Sequence, residues 1–324
     1  MESTTFETVY NVPELGNLIM ESLALTGLIA LSYTSRAIHG HVQQHMRSKL
    51  SLILAPFGIG RRDLMTQLRF AESFIIGSIA LKAVAPSTWS ITTNNIDIVV
   101  QCAQLTLLED WLIVKCGYKR KSPSHTNSGY NAPFRFCYSY TRKIDQRDMY
   151  INLLAVRSRS EGYELIFHAS NTTGMNMLSP RGLFTGYATL LNRRQVAHNQ
   201  VTNMASMRTI YSVAERRQDR IDRANDRKAQ SRGFGFVTLD PSPHPFDTCL
   251  RCPYVSACPL TIRNMNDSMC AYMRLVRDDE MASQSVLSPE GNRRPEVIWR
   301  LADVQGGRQG FAYHLTYCRI NDLR

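Results

Sequence analysis

The sequence lacks any apolar run long enough to cross a bilayer. The best candidate, Leu23 to Leu31, is short and follows Glu21, whereas a spanning helix needs roughly 20 apolar residues. The first residues, Met1-Glu2-Ser3-Thr4-Thr5-Phe6-Glu7, are acidic where a secretory leader needs a basic start. These two features predict an intracellular protein of the cytoplasm, the nucleus or both, with no membrane partner. Acidic residues are also few. Asp+Glu number 27 against 38 Lys+Arg, a formal charge of +11, which permits a polyanionic partner without requiring one. No Gly-x-Ser-x-Gly elbow, Gly-x4-Gly-Lys-Ser/Thr loop or His-Glu-x-x-His pair is present, so those hydrolase, nucleotide-loop and metalloprotease classes find no support. His39, His41, His45, His168 and His198 are isolated and read as surface or core residues. What is present is a globular composition, 44% hydrophobic, 9% aromatic and 20% charged over 324 residues. It excludes a disordered chain, a coiled coil and a collagen-like fibre, and it suffices for one large or two ordinary domains.

Residues 9–55 read as a helical unit. Val12-Pro13-Glu14-Leu15 places proline and an acid where a helix opens. Leu15, Leu18, Ile19 and Leu23 recur at three-to-four spacing, and Leu28, Leu31 and Ile38 continue on a second helix. With Leu31-Ser32 and Ser35-Arg36, this pattern resembles the F-box, a three-helix module that docks its protein onto a cullin-type ubiquitin ligase. The resemblance implies Pro13, Leu15, Ile19 and Leu23 as partner-binding residues and a ubiquitin-ligase scaffold as partner. The residues alone also allow a plain helical cap that buries its own apolar face.

After Pro56-Phe57-Gly58-Ile59-Gly60 the pattern predicts a helix through Leu64 and Leu68. A short strand at Phe74-Ile75-Ile76 then ends at Gly77-Ser78 and runs into a helix. A β-branched strand, Asn95-Ile96-Asp97-Ile98-Val99-Val100, follows a polar loop, and Leu105, Leu108, Trp111 and Leu112 mark a helix capped at Gly117. Residues 119–135 read as a surface loop. Met149 to Val156 and Tyr163 to His168 read as strands, with Asn152 on the first of them.

Gly-Ser at a strand end, then a helix, then a strand of polar–apolar–acid–apolar order resembles the nucleotidyltransferase fold. The resemblance implies that the Gly77-Ser78 backbone cradles nucleotide phosphates and that three carboxylates on neighbouring strands hold paired divalent metal. Residues i and i+2 of a strand share a face, which explains the acid spacing. Here Asn95 stands at the first acidic position and Asn152 at the third, leaving Asp97 alone. Two amides in place of two carboxylates remove two formal charges, so metal affinity is expected to collapse while the fold persists. The implied nucleotide-binding residues are Gly77, Ser78, Asn95 and Asn152. Asp97 would be catalytic, with Mg²⁺, only if activity survives.

Residues 205–232 form a charged connector. Asp219, Asp222 and Asp226 stand among Arg216, Arg217, Arg220, Arg223, Arg227, Lys228 and Arg232. A solvated helix is the default, and an RNA or phosphate contact is the functional alternative. Arg232-Gly233-Phe234-Gly235-Phe236-Val237-Thr238-Leu239 resembles the octamer of RNA-recognition motifs, which would make RNA a partner. No aromatic strand lies about 30 residues upstream, and prolines follow at 241, 243 and 245, so a structural strand is the better reading. Of eight cysteines, four fall at Cys249, Cys252, Cys258 and Cys270, a C-x2-C-x5-C-x11-C run that could hold a structural zinc, with His244 as a spare ligand. Buried free thiols are the alternative.

Taken whole, residues 9 to 300 resemble a set of uncharacterised fungal, basidiomycete-type proteins. Leu191-Asn192-Arg193-Arg194, Arg232-Gly233-Phe234, Cys258-Pro259, Arg263, Asp267 and Cys270 carry the likeness beyond the motifs above. The expected fold is α+β: an F-box-like helical cap (9–55), a mixed-sheet nucleotidyltransferase-like core (62–204), a charged helical connector (205–232) and a Cys-rich C-terminal region with strands (233–324). The expected function is a non-catalytic adaptor, a ubiquitin-ligase substrate receptor built on an inactive core. An active metal-dependent nucleotidyltransferase and an RNA-binding protein are the alternatives.

Overall fold

Apolar spacing at the N-terminus produces three helices, α1 (Pro13–Ser22), α2 (Leu25–Ser32) and α3 (Arg36–Leu54). They belong to a computed structural model that describes residues 12–121, 136–167, 169–198, 223–237, 263–264, 269–275 and 298–299. Pro13 opens α1 with Glu14 in its first turn, and the Ser35 hydroxyl caps α3 by accepting from the Ile38 N–H at 3.2 Å. On α3, Ile38, Val42, Met46 and Leu50 repeat every fourth residue and are buried. Val12, Leu15 and Leu18 of the α1 region remain exposed.

A single-turn helix at Ala55–Phe57 ends at Gly58, whose φ of 64° suits a residue without Cβ. Next come α4 (Arg61–Phe70), β1 (Phe74–Ile76), α5 (Gly77–Val84), β2 (Asn95–Gln101) and α6 (Leu105–Asp110), which widens into a π turn at Trp111–Lys115. They are followed by β3 (Lys119–Arg120), β4 (Phe136–Ile144), β5 (Arg147–Val156), α7 (Arg159–Phe167), β6 (Asn176–Ser179), β7 (Gly182–Thr185), α8 (Ala188–Asn192) and β8 (Gln195–Ala197). Helix α9 covers 223–231, and β9 (Gly235–Val237), β10 (Arg263–Asn264), β11 (Ala271–Arg274) and β12 (Ile298–Trp299) complete the described elements.

Eight strands form one mixed sheet in the order β11-β7-β6-β1-β2-β5-β4-β3. Among its pairs only β2 and β5 run parallel. Asp145 and Gln146, both at positive φ, make the tight β4–β5 hairpin. Alternation then assigns the two faces. Ile96, Ile98, Val100, Ile151 and Leu153 join the cluster that includes buried residues of α2 to α5, whereas Val99, Leu154 and Val156 pack with Tyr163, Ile166 and Phe167 of α7. The architecture is the α+β arrangement expected, with helices at the N-terminus and a mixed sheet.

Three elements differ from expectation. Leu28, Leu31 and Ile38, read as one second helix, are divided between α2 and α3, and Lys119–Arg120, read as the start of a surface loop, pair with β4 as β3. Tyr163 to His168, read from its apolar content as a strand, lies in helix α7 up to Phe167. Tyr163, Ile166 and Phe167 fall on one helical face over the sheet, and Gly162 sits so close to Val99 and Phe74 that a Cβ would meet Val99 Cγ1 at 2.9 Å. Packing decides between helix and strand where a short apolar run cannot.

Candidate functional site

Strand register brings the polar residues of the core together. Asp97 pairs with Ile76, the last residue of β1, on one side and with Asn152 of β5 on the other, and Asn152 in turn pairs with Ser139 of β4. Asn95 lies two residues before Asp97 and so shares its face. Gly77 follows β1 with φ 70°, a left-handed turn that lets the chain leave the strand and start α5 at once. The sequence-derived set Gly77, Ser78, Asn95, Asp97 and Asn152 therefore lines one cavity of about 350 Å³.

Asp97, only 9% exposed, is held by amides. Asn95 Nδ2 donates to Oδ1 and Oδ2 at 3.0 Å each, and Asn152 Nδ2 donates to Oδ1 at 2.8 Å. Each amide carbonyl is engaged on its far side. Thr93 Oγ1 donates to Asn95 Oδ1 at 3.0 Å, and Ser139 Oγ donates to Asn152 Oδ1 at 2.8 Å. A carboxylate only accepts, so both amides must turn their N–H₂ groups toward it. The result is a chain of neutral donors wrapped round one anion.

The opposite wall comes from α9 and the turn at 169–174. Asn225, Lys228, Ala229 and Arg232 line the cavity at helical spacing. Asn225 Nδ2 donates to Ser170 Oγ at 3.1 Å and Asn171 Nδ2 to Asp226 Oδ1 at 3.3 Å, which fasten α9 to the turn. Arg232 Nη2 donates to Ser78 Oγ at 3.0 Å and to the Thr92 carbonyl at 3.2 Å. Burial lowers the pKa of Arg232. Burial, followed by repulsion from Arg232, lowers that of Lys228, against an opposing pull from Asp97. The Cys137 thiol, also on the lining, is pushed up to about 11 by burial and then by Asp97, so it is no ready nucleophile.

A divalent metal pair requires converging oxygen anions. This donor set offers Asp97 as the one carboxylate among the described lining residues, its oxygens already taken by amide N–H groups, with two cations on the facing wall. The residues do not fit Mg²⁺. Lys228 and Arg232 were legible only as part of a charged stretch, although their four-residue spacing, with Ala229 between, was a signal for one face turned inward. Ser139, Asn171 and Asn225 carry no motif and escape sequence reading.

The remaining candidates lie elsewhere. Cys249, Cys252, Cys258 and His244 fall outside the described residues. Cys270 is half-buried and its thiol donates to the Gly186 carbonyl at 3.4 Å. Among the described residues no group of His, Cys, Asp and Glu is arranged to hold a metal ion. Pro13 and Leu15 are exposed on α1, whereas Ile19 and Leu23 are half-buried. Pro13 also lines a second cavity, about 670 Å³, between α1, α3 and the loop after α5. Phe234 is 4% exposed and sits edge-on to Trp89, while Phe236 stacks on His198, so neither ring is laid out as an open platform. No helix among the described residues is long and apolar enough to cross a membrane. No protein-family model matches the chain, and no curated protein matches it significantly.

Proposed function

We propose that this chain is a non-catalytic adaptor, an interaction protein built on an inactive nucleotidyltransferase-like core. The observation that carries the reading is the amide clamp on Asp97. In a phosphoryl-transfer site the strand carboxylates hold metal that aligns and neutralises the triphosphate. In this cavity the two neighbouring strand positions are amides that donate to the remaining acid. The order of strand, Gly77–Ser78 turn, helix and antiparallel neighbour carrying Asp97 supports the fold likeness.

The adaptor role rests on the N-terminal helices. Three helices, of 10, 8 and 19 residues, begin at Pro13, a number that suits an F-box-like module, and Val12, Leu15 and Leu18 leave apolar surface outside the core. Exposed apolar side chains grouped on one helix are suited to a protein partner. The partner of this reading is a ubiquitin-ligase scaffold subunit.

Incubation with labelled nucleoside triphosphates, Mg²⁺ or Mn²⁺ and cell lysate is expected to give no transfer. Transfer that vanishes in Asp97→Asn would establish the enzyme reading instead. A pull-down of ligase scaffold subunits that fails for Leu15→Asp/Leu18→Asp, with the helical content unchanged, supports docking. Equal recovery by the double variant removes it.

A further inference from the structure

The cavity beside Asp97 carries more positive than negative charge. Lys228 of α9 and Arg232 just after it line the cavity, Asp97 is the one acid among its described lining residues, and the other polar lining groups are amides, hydroxyls and one thiol. Arg232 is half-buried and Lys228 is the more exposed of the two; partial desolvation lowers the pKa of both, and repulsion from Arg232 adds to the shift at Lys228. Among the described residues the Arg232 guanidinium donates to neutral oxygens, those of Ser78 and Thr92, and the Lys228 ammonium has no hydrogen bond or ion pair, its carbonyl alone accepting from Ser231 Oγ. A volume of about 350 Å³ lies within the range of small-molecule sites.

We infer that this cavity binds a small phosphate-bearing anion without a divalent metal, Arg232 and Lys228 supplying the positive charge. The inference rests on the proposal that the site is metal-free. Guanidinium and ammonium groups are the side chains suited to phosphate oxygens, one as a planar fork and the other as a point charge. Gly77 and Ser78, at the start of α5 where no side chain caps the helix, line the same space. No aromatic ring is among the described lining residues, so nothing there stacks a nucleobase. Ser170, Thr173 and Asn225 are matched to hydroxyls or to further phosphate oxygens. The ligand class is therefore a polyphosphate or a sugar phosphate, and the shared chemistry is the phosphate group.

The test is calorimetric titration of the full chain with inorganic pyrophosphate, glucose 6-phosphate and ATP, each in EDTA and in Mg²⁺. Pyrophosphate or glucose 6-phosphate is expected to bind in EDTA, more tightly than ATP. Lys228→Gln should weaken that binding about tenfold, the loss of one charge-assisted contact. Asp97→Asn removes the acid from the wall and should strengthen it. This variant reports even if Lys228→Gln or Arg232→Lys disturbs packing, because its predicted change is a gain. Absence of binding by all three ligands in both media overturns the inference and leaves the non-catalytic proposal standing. Binding that appears only with Mg²⁺ and is lost in Asp97→Asn overturns both.

Discussion

Asp97 accepts its hydrogen bonds from side chains that in a metal site would themselves be anions. Asn95 and Asn152 approach it to 3.0 and 2.8 Å, distances that two further carboxylates could not share without a cation between them. Asn95→Asp/Asn152→Asp should therefore be destabilised in EDTA, on the order of 3 kcal/mol for unpaired buried charge, and recover on adding Mn²⁺. Thermal unfolding with and without Mn²⁺ checks this, and an identical melting temperature in both media counts against it. Cys137 gives a second expectation at this scale. With its thiol raised to about 11, the folded protein at pH 8 should alkylate at Cys137 far more slowly than the unfolded chain, as peptide mass spectrometry would record.

At the scale of elements, Lys49 ties helix α3 to the core. Its Nζ donates to the carbonyl of Ala85 just after α5, and the side chain is buried. Burial, with repulsion from Lys82, lowers its pKa from 10.5 to about 8. The unfolded chain then binds that proton more strongly than the folded one between these values. Stability should rise with pH from about 8 toward 10.5 and show no Lys49 contribution to the slope well below 8, where both states are protonated. Denaturant unfolding of wild type and Lys49→Met across pH 7.5–10 should differ in slope by at most about 1.4 kcal/mol per pH unit. Parallel profiles would contradict the assignment. At the sheet edge, a Cβ on Gly182 would meet the Met273 carbonyl at 2.5 Å, so Gly182→Ala should part β7 from β11. A loss of about 1–3 kcal/mol, as for overpacking elsewhere, is expected by denaturant titration, and no change would contradict that close approach.

The same elements show what the sequence could disclose. α1, α4, α5, β1, β2 and β5 were readable because turns and periodicity agree locally, as at Pro13 and Gly77, whereas the break at Ser35 that parts α2 from α3 was not, since Leu28, Leu31 and Ile38 keep a helical spacing across it. α7 was not, since Tyr163, Ile166 and Phe167 take their helical face from packing on Phe74 and Val99. β6 and β7 span four residues each and acquire meaning only from their partners. In the site, Asn95 and Asp97 were legible by strand spacing, and Asn152 through the resemblance that supplies the third position. Lys228 and Arg232 were not assigned to the cavity, because a charged helix reads alike whether its face meets water or a pocket.

At the scale of the whole molecule, the formal +11 is not merely a surface property. Part of it lines a cavity, where exposed Lys228 and half-buried Arg232 stand opposite an acid wrapped in amides. Asp97 shares a sheet face with Val99, which packs with α7, whereas Ile98 turns to the helical N-terminal layer; the cavity lining also includes Ser78 of α5 and Ala229, a member of the cluster formed with that layer. No α1 residue is among the described lining of the proposed anion cavity, so the α1 variants that test the proposed docking surface should leave pyrophosphate binding unchanged. The most direct check of the central proposal, a site whose remaining carboxylate holds no metal, is titration of the wild-type chain with Mn²⁺ followed by electron paramagnetic resonance. The account predicts a free-ion signal that grows in proportion to added Mn²⁺, identical for wild type and Asp97→Asn. One or two bound ions per chain, lost in Asp97→Asn, would contradict it.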